Sequence, residues 1–165
     1  MTGKIVLITG CSAGGIGHAL VLAFQQRGAI VFATARSVKK MDDLANLPNV
    51  HLLSLDVTSA ESIATAVKEV EAKTGGRLDV LVNNAGVQYV MPAIHVNIDK
   101  AKDTFEANYW GPIRMVNAFK DMLLQTKGTI VNMSSIAGIV PVPWSSKHPH
   151  GGYSSFATPY KTRSN

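Results

Sequence analysis

Five short runs of β-branched and apolar residues punctuate the chain: residues 5–9 (IVLIT), 30–34 (IVFAT), 50–55 (VHLLSL), 78–82 (LDVLV) and 129–133 (TIVNM). Several are almost continuously apolar, the pattern of strands covered on both faces. Between them, apolar positions recur at helical spacing over 17–27, 38–47, 60–73 and 98–125. Ser59, just before AESI, suits an N-cap for the third helix, and Asn97 precedes the longest one.

Strands that alternate with helices, joined by right-handed crossovers, predict an α/β fold with a doubly wound parallel sheet. About five strands in the order 3-2-1-4-5 are expected. After Ser135 the pattern stops. Pro141, Pro143, Pro149, Pro159, Gly151 and Gly152 interrupt any helix, and no further strand is legible. The expected organisation is one domain over 1–146 followed by an irregular or disordered tail over 147–165.

Composition narrows the class. A hydrophobic share of 46% with 16% charged residues is that of a globular chain with an apolar interior, not of a disordered one. The net charge of +5 points at first to nucleic acid or an anionic membrane. All 11 acidic residues lie before Ser146, however, while Lys147, Lys161 and Arg163 add cations only to the tail. No basic helix face emerges, so nucleic acid is not an expected partner. Cys11 is the single cysteine, which excludes an intrachain disulfide. The histidines lack metal-ligand spacing apart from His148 and His150 in the unpatterned tail, so no metal is expected. No run reaches the length of a membrane span or a signal-peptide core. The expected location is cytoplasmic, with or without peripheral membrane contact.

The chemistry gathers at strand ends. The first strand runs into TGCSAGGIG (residues 9–17), immediately before a helix. Glycines there allow positive φ and close backbone approach, and the helix N-terminus offers unsatisfied N–H groups to a pyrophosphate. Gly10, Ser12, Gly15, Ile16 and Gly17 are the candidate contacts. Where an NAD site places an acid at the end of the second strand, this chain has Ala35 and Arg36. Without a carboxylate to repel a 2′-phosphate, and with a guanidinium to bond it, NADP is favoured over NAD. Ser12 offers a hydroxyl to the same phosphate; the bland alternative for Arg36 is a solvated side chain. Asp56, followed by Val57, ends the third run, where its carboxylate can accept from an adenine amino group or cap the next helix. Asn83, Asn84, Ala85 and Gly86 end the fourth, where small residues admit a cofactor and the amides can tie neighbouring strands.

Taken together these pieces resemble the short-chain dehydrogenase/reductase family. The matching residues are Thr9, Gly10, Gly15, Gly17, Ala35, Arg36, Asp56, Asn83 to Gly86, Asn108 in ANYWG, and Ser134 and Ser135 in NMSSIAG. The likeness runs from about residue 3 to 146. ITGCSAGGIG with FATAR is similar to the fungal branch that includes NADPH-dependent 1-acyldihydroxyacetone-phosphate reductases. One departure is an extra residue within Cys11 to Gly14, expected to bulge outward.

The resemblance implies a Rossmann fold and an NADP(H)-dependent oxidoreductase that reduces a ketone or aldehyde, lipid-derived or from secondary metabolism, by hydride transfer. It also implies four catalytic roles. A Tyr acts as general acid/base, a Lys four residues later lowers its pKa, a Ser polarises the substrate oxygen, and an Asn supports a relay water. Ser135 and Asn108 match the last two. A Tyr is expected thirteen residues after Ser135, and His148 stands there. Tyr153 is followed four residues on by Ala157 and Tyr160 by Ser164, so no Tyr-x-x-x-Lys exists in the chain.

The dyad's helix and the last strands of the family sheet are therefore expected to be missing. Their loss should expose apolar surface at Tyr109, Ile113, Val116 or Phe119 on the long helix before strand five, a surface for homo- or hetero-oligomers. The alternative to a reductase is a catalytically silent NADP-binding domain or an interaction module. Ser146-Lys147 can be encoded AGT-AAG, which contains intron-donor letters, so intron read-through is one expected origin of the tail. Sequencing the transcript beside its genomic locus checks this, with a spliced message that leaves the frame at Ser146 as the expected result; genomic DNA with no donor there ends the idea.

Overall fold

The structure, a computed structural model, describes residues 3–135. The boundary expected after Ser146, the tail 147–165, and its His148, Tyr153 and Tyr160 lie outside the described residues. Within them the strands are β1 (Ile5–Thr9), β2 (Ile30–Ala35), β3 (Val50–Ser54), β4 (Val80–Asn83) and β5 (Thr129–Asn132). The α-helices are α1 (Ile16–Gln26), α2 (Ala60–Thr74), α3 (Ile98–Phe105) and α4 (Gly111–Thr126). The strands form one parallel sheet in the order β3-β2-β1-β4-β5, as the alternation of elements predicts.

The period of two along a strand divides the core between the two faces of the sheet. Ile5 and Leu7 of β1 join Phe32, Leu53, Ile63, Val70, Met115 and Phe119 on the side of α2 and α4. Val6 and Ile8 join Val21, Val31, Ala33, Met41, Leu44 and Val82 on the side of α1. All five residues of β1 are buried, as a central strand sandwiched between helices requires, whereas β5 alternates exposed and half-buried positions at the sheet's edge.

Helix ends follow local chemistry. Ser59 caps α2, its side chain accepting from the Ser62 N–H, and Gly75 closes that helix at φ +64°, a left-handed position glycine adopts without strain. Asn97 caps α3 by accepting from the Lys100 N–H.

Four expectations need correction. The second helical stretch, 38–47, is a 3-10 segment over Val38–Leu44 with non-helical backbone at Met41, and it buries Met41 and Leu44. The fourth strand starts at Val80 rather than at 78 and runs to Asn83. Asp79 stands at its threshold, its carboxylate turned back to Lys4 Nζ (2.6 Å) and the Ile5 N–H (2.9 Å).

The long helix 98–125 is broken into α3 and α4 by a π turn over Glu106–Trp110. Pro112 has no N–H to return to the Asn108 carbonyl, so the ladder slips one residue and the Gly111 N–H bonds Glu106 O instead. On α4, Ile113 and neighbouring Trp110 are exposed and Val116 is half-buried. Phe119, expected at the surface, is fully buried, because it lies one turn from Met115 on the face toward the sheet.

The Asp79 carboxylate makes a stability prediction. Burial works to raise its pKa, but the Ile5 N–H and the Lys4 ammonium outweigh burial and hold it below the ordinary 3.8. A lowered folded pKa contributes stability that is present above the unfolded value and lost as pH falls through the folded one. Thermal melts of Asp79→Asn should therefore show a loss of about 1–3 kcal/mol at neutral pH, with a shallower decline than the parent below about pH 4.

Candidate functional site

Every candidate residue but Asn108 stands at or just past the C-terminal end of a strand. Gly10 through Gly17 follow β1, Arg36 follows β2, Asp56 and Val57 follow β3, Asn83 ends β4 with Ala85 and Gly86 after it, and Ser135 follows β5. The sheet order reverses between β1 and β4, the position at which open α/β sheets place a ligand crevice.

The floor of that crevice is tightly bonded. Thr9 Oγ1 accepts from the Asn84 and Ala85 N–H groups, each at 2.9 Å, and donates to Val82 O at 3.3 Å. The Asn84 side-chain amide reaches back to Thr9 O (2.8 Å) and Gly10 O (3.0 Å). Asn83 Nδ2 donates to Asn132 Oδ1 at 2.8 Å and joins β4 to β5. The amides thus tie strands together as expected. Thr9 and Asn84 are among the residues that carry the resemblance, and Asn84 among the expected ties, but neither is a candidate cofactor contact; both act by holding the turns.

This knot explains the glycines. A Cβ on Gly10 would come within 2.8 Å of Ala85 Cα, and one on Gly17 would press into the Gly10 carbonyl and the Asn84 amide. Gly17 is therefore required for the close packing of α1 on the turn. Ala13 and Gly14 are exposed, and a Cβ on Gly14 would meet nothing within 4 Å, so the extra residue of the turn does bulge outward.

The N-terminus of α1 is prepared for an anion. Its N-cap is Gly15, with no side-chain cap and no acidic residue in the first turn, whereas α2 and α3 each have both. Ile16, at the first position of the helix, is exposed. Ser12 is half-buried in the turn, and its carbonyl accepts from the Gly15 N–H at 3.1 Å. Cys11 is fully buried, its thiol bonded to Ile8 O and pushed up to about 12 by burial, so it is an inert packing group.

The charged residues flank the crevice. Arg36 is exposed at the end of β2. Asp56 accepts from both the N–H (2.9 Å) and the hydroxyl (2.7 Å) of Thr58, and these bonds, with Arg36 nearby, hold its carboxyl below the usual range. Of the two roles open to Asp56, capping α2 falls to Ser59. Val57 is buried against Gly111 at the start of α4.

Asn108 lies in the π turn, and its amide clasps the backbone of Val87 in both directions, each bond 2.8 Å, with Gly86 packed beside it. Ser135 is exposed beyond β5, whose last backbone tie is the Met133 N–H to Asn83 O at 2.9 Å. A glycine-lined turn and an uncapped helix start fit a nicotinamide dinucleotide, and the arrangement is that of open α/β sheets that bind at a switch point.

A model of the family described as short chain dehydrogenase matches residues 4–149. A short-chain dehydrogenase of Penicillium ochrochloron is 49% identical over 137 residues, 83% of this chain and 51% of that protein. The NADPH-dependent 1-acyldihydroxyacetone phosphate reductase of Schizosaccharomyces pombe is 46% identical over 138 residues, 84% of this chain and 46% of that protein. Among solved structures, a short-chain dehydrogenase from Streptomyces avermitilis aligns with a TM-score of 0.81 at 34% identity, covering 89% of this chain and 55% of its own. An alcohol dehydrogenase from the archaeon Thermococcus sibiricus, complexed with 5-hydroxy-NADP, aligns at 0.80 and 29% identity, covering 88% and 63%. The chain belongs to the short chain dehydrogenase family, and it spans about half the length of the curated relatives it matches.

The knot at Thr9 can be tested without any ligand. Thr9→Val keeps the shape but removes the acceptor of two backbone N–H groups, so denaturant unfolding should show a loss of about 1–3 kcal/mol. Amide exchange at Asn84 and Ala85 should accelerate more than at the centre of β4.

Proposed function

We propose that the chain forms the cofactor-binding part of an NADPH-dependent reductase that converts a ketone or aldehyde to an alcohol. The observation that carries this is Arg36, exposed at the end of β2 where an NAD site has an acid, together with the uncapped start of α1 after β1. A 2′-phosphate gains a guanidinium there and meets no carboxylate on that strand end. In this assignment Gly10, Ser12, Gly15, Ile16 and Gly17 hold the pyrophosphate, Asp56 and Val57 receive the adenine, and Asn83, Ala85 and Gly86 line the path toward the nicotinamide. The bound cofactor supplies the hydride.

The chain's own residues then position the substrate carbonyl. The Ser135 hydroxyl donates to its oxygen and stabilises the charge that develops there. Asn108 braces Gly86 and Val87 through its amide, and its carbonyl, which Pro112 cannot serve, is the group offered to a relay water. A lipid-derived or secondary-metabolite carbonyl is the substrate class; the name of the S. pombe relative supports an acyl-glycerone type. Cytoplasmic location and association through the exposed part of α4 belong to the same proposal. Among the described residues no helix is long and apolar enough to cross a membrane.

A second reading rests on one specific observation: the 165 residues hold no Tyr-x-x-x-Lys. A phenol with a pKa near 10 needs a neighbouring cation to exchange protons at neutral pH. On this reading the 165-residue chain binds NADPH without turning it over.

Calorimetry with NADPH and NADH, alongside NADPH oxidation over a panel of carbonyls, separates the two: binding with turnover supports the reductase, binding without turnover the silent domain, and no binding refutes both. Arg36→Ala should weaken NADPH by about tenfold and leave NADH nearly unchanged. Equal losses for both nucleotides would remove Arg36 from the phosphate role.

A further inference from the structure

The segment that follows Arg36 is built as a strap. Met41 and Leu44 are fully buried among Val21, Val31 and Ala33, while Lys39 and Lys40 beside them are exposed. Two ties hold this strap to the cofactor turn. The Lys40 carbonyl accepts from the Ala13 N–H at 2.8 Å, inside the outward bulge, and His18 Nε2 meets Asp43 Oδ2 at 2.6 Å. His18 directly follows Gly17 in the first turn of α1, so the second tie ends at the helix start assigned to the pyrophosphate.

We propose that His18 and Asp43 form a latch that keeps Lys40 beside the glycine-rich turn and so sets how strongly the chain prefers the 2′-phosphorylated dinucleotide. The inference rests on the NADP(H) reading and adds a positioning pair to it. The latch acts in two ways. It adds a tie at the rim of a strap that Met41 and Leu44 anchor in the core, and it engages a carboxylate, seven residues after Arg36, that would oppose an anion. Asp42 is also exposed on the strap, so the balance of charge facing a phosphate depends on whether Asp43 is paired. The His18 side chain is 15% exposed and that of Asp43 54%, which places the bond at the rim, where a polar tie contributes modestly.

The test uses adenosine 2′,5′-bisphosphate and 5′-AMP as probes of the adenosine end, titrated calorimetrically into the full 165-residue chain, with melting temperatures recorded for each variant. His18→Asn and Lys40→Gln should each weaken the bisphosphate by about three- to fivefold and leave 5′-AMP unchanged. Adding Asp43→Asn to His18→Asn should recover part of that loss, because it removes the carboxylate the first change leaves unpaired, so the two effects are not additive. Lys40→Gln changes an exposed side chain and reports on charge even if the His18 variant melts early. If the parent prefers the bisphosphate, and Arg36→Ala abolishes that preference while the His18 and Lys40 variants retain it, the latch is refuted and the NADP(H) reading stands. A parent with no preference overturns the reading and the latch together.

Discussion

The site depends on one buried hydroxyl. Thr9 lies at the last position of the central strand, 1% exposed, where the parallel ladder to β4 ends and the chain must turn away. Two N–H groups past the end of β4 have no strand partner and turn to its Oγ1 instead. A buried donor left unpaired costs about 1–3 kcal/mol, so this oxygen determines the direction in which residues 84–86 leave the sheet. The Asn84 amide completes the knot by returning to the carbonyls of Thr9 and Gly10. Once those turns are drawn together, glycine at 10 and 17 follows from lack of room, and the mouth of the crevice takes its width from backbone packing.

The two ends of the sheet divide their tasks. At the end where the strands begin, Asp79 satisfies β1 and is itself satisfied by Lys4 and Ile5, a closed arrangement that serves stability. At the other end the chain leaves a helix start without a cap and an arginine in solvent. Both lie at the C-terminal edge of the sheet, on the side of the switch point where open α/β sheets bind ligands.

The π turn shows how one residue's chemistry reaches the site from a distance. Pro112 withholds a hydrogen bond, the helix slips by one residue, and Asn108 is presented toward the loop after β4. Burial of Phe119 one turn into α4 then secures the rest of that helix to the sheet. The exposed apolar side chains there are Trp110 at the end of the π turn and Ile113 and Leu124 on α4.

Five strands, their order and the glycine turn were legible in the sequence because each rests on local chemistry: apolar runs of strand length, Ser59 and Asn97 at helix starts, and glycines immediately between a strand and a helix. The position of Arg36 at a strand end was legible for the same reason. The long-range contacts were not. The start of β4 depends on Asp79 finding Ile5, the burial of Met41 and Leu44 on their reaching one core cluster, and the Thr9–Asn84 knot on strands 75 residues apart becoming neighbours. The meeting of His18 with Asp43 depends on the same packing. Pairs like these involve residues that no local period connects, and they became neighbours only when the sheet and its helices packed.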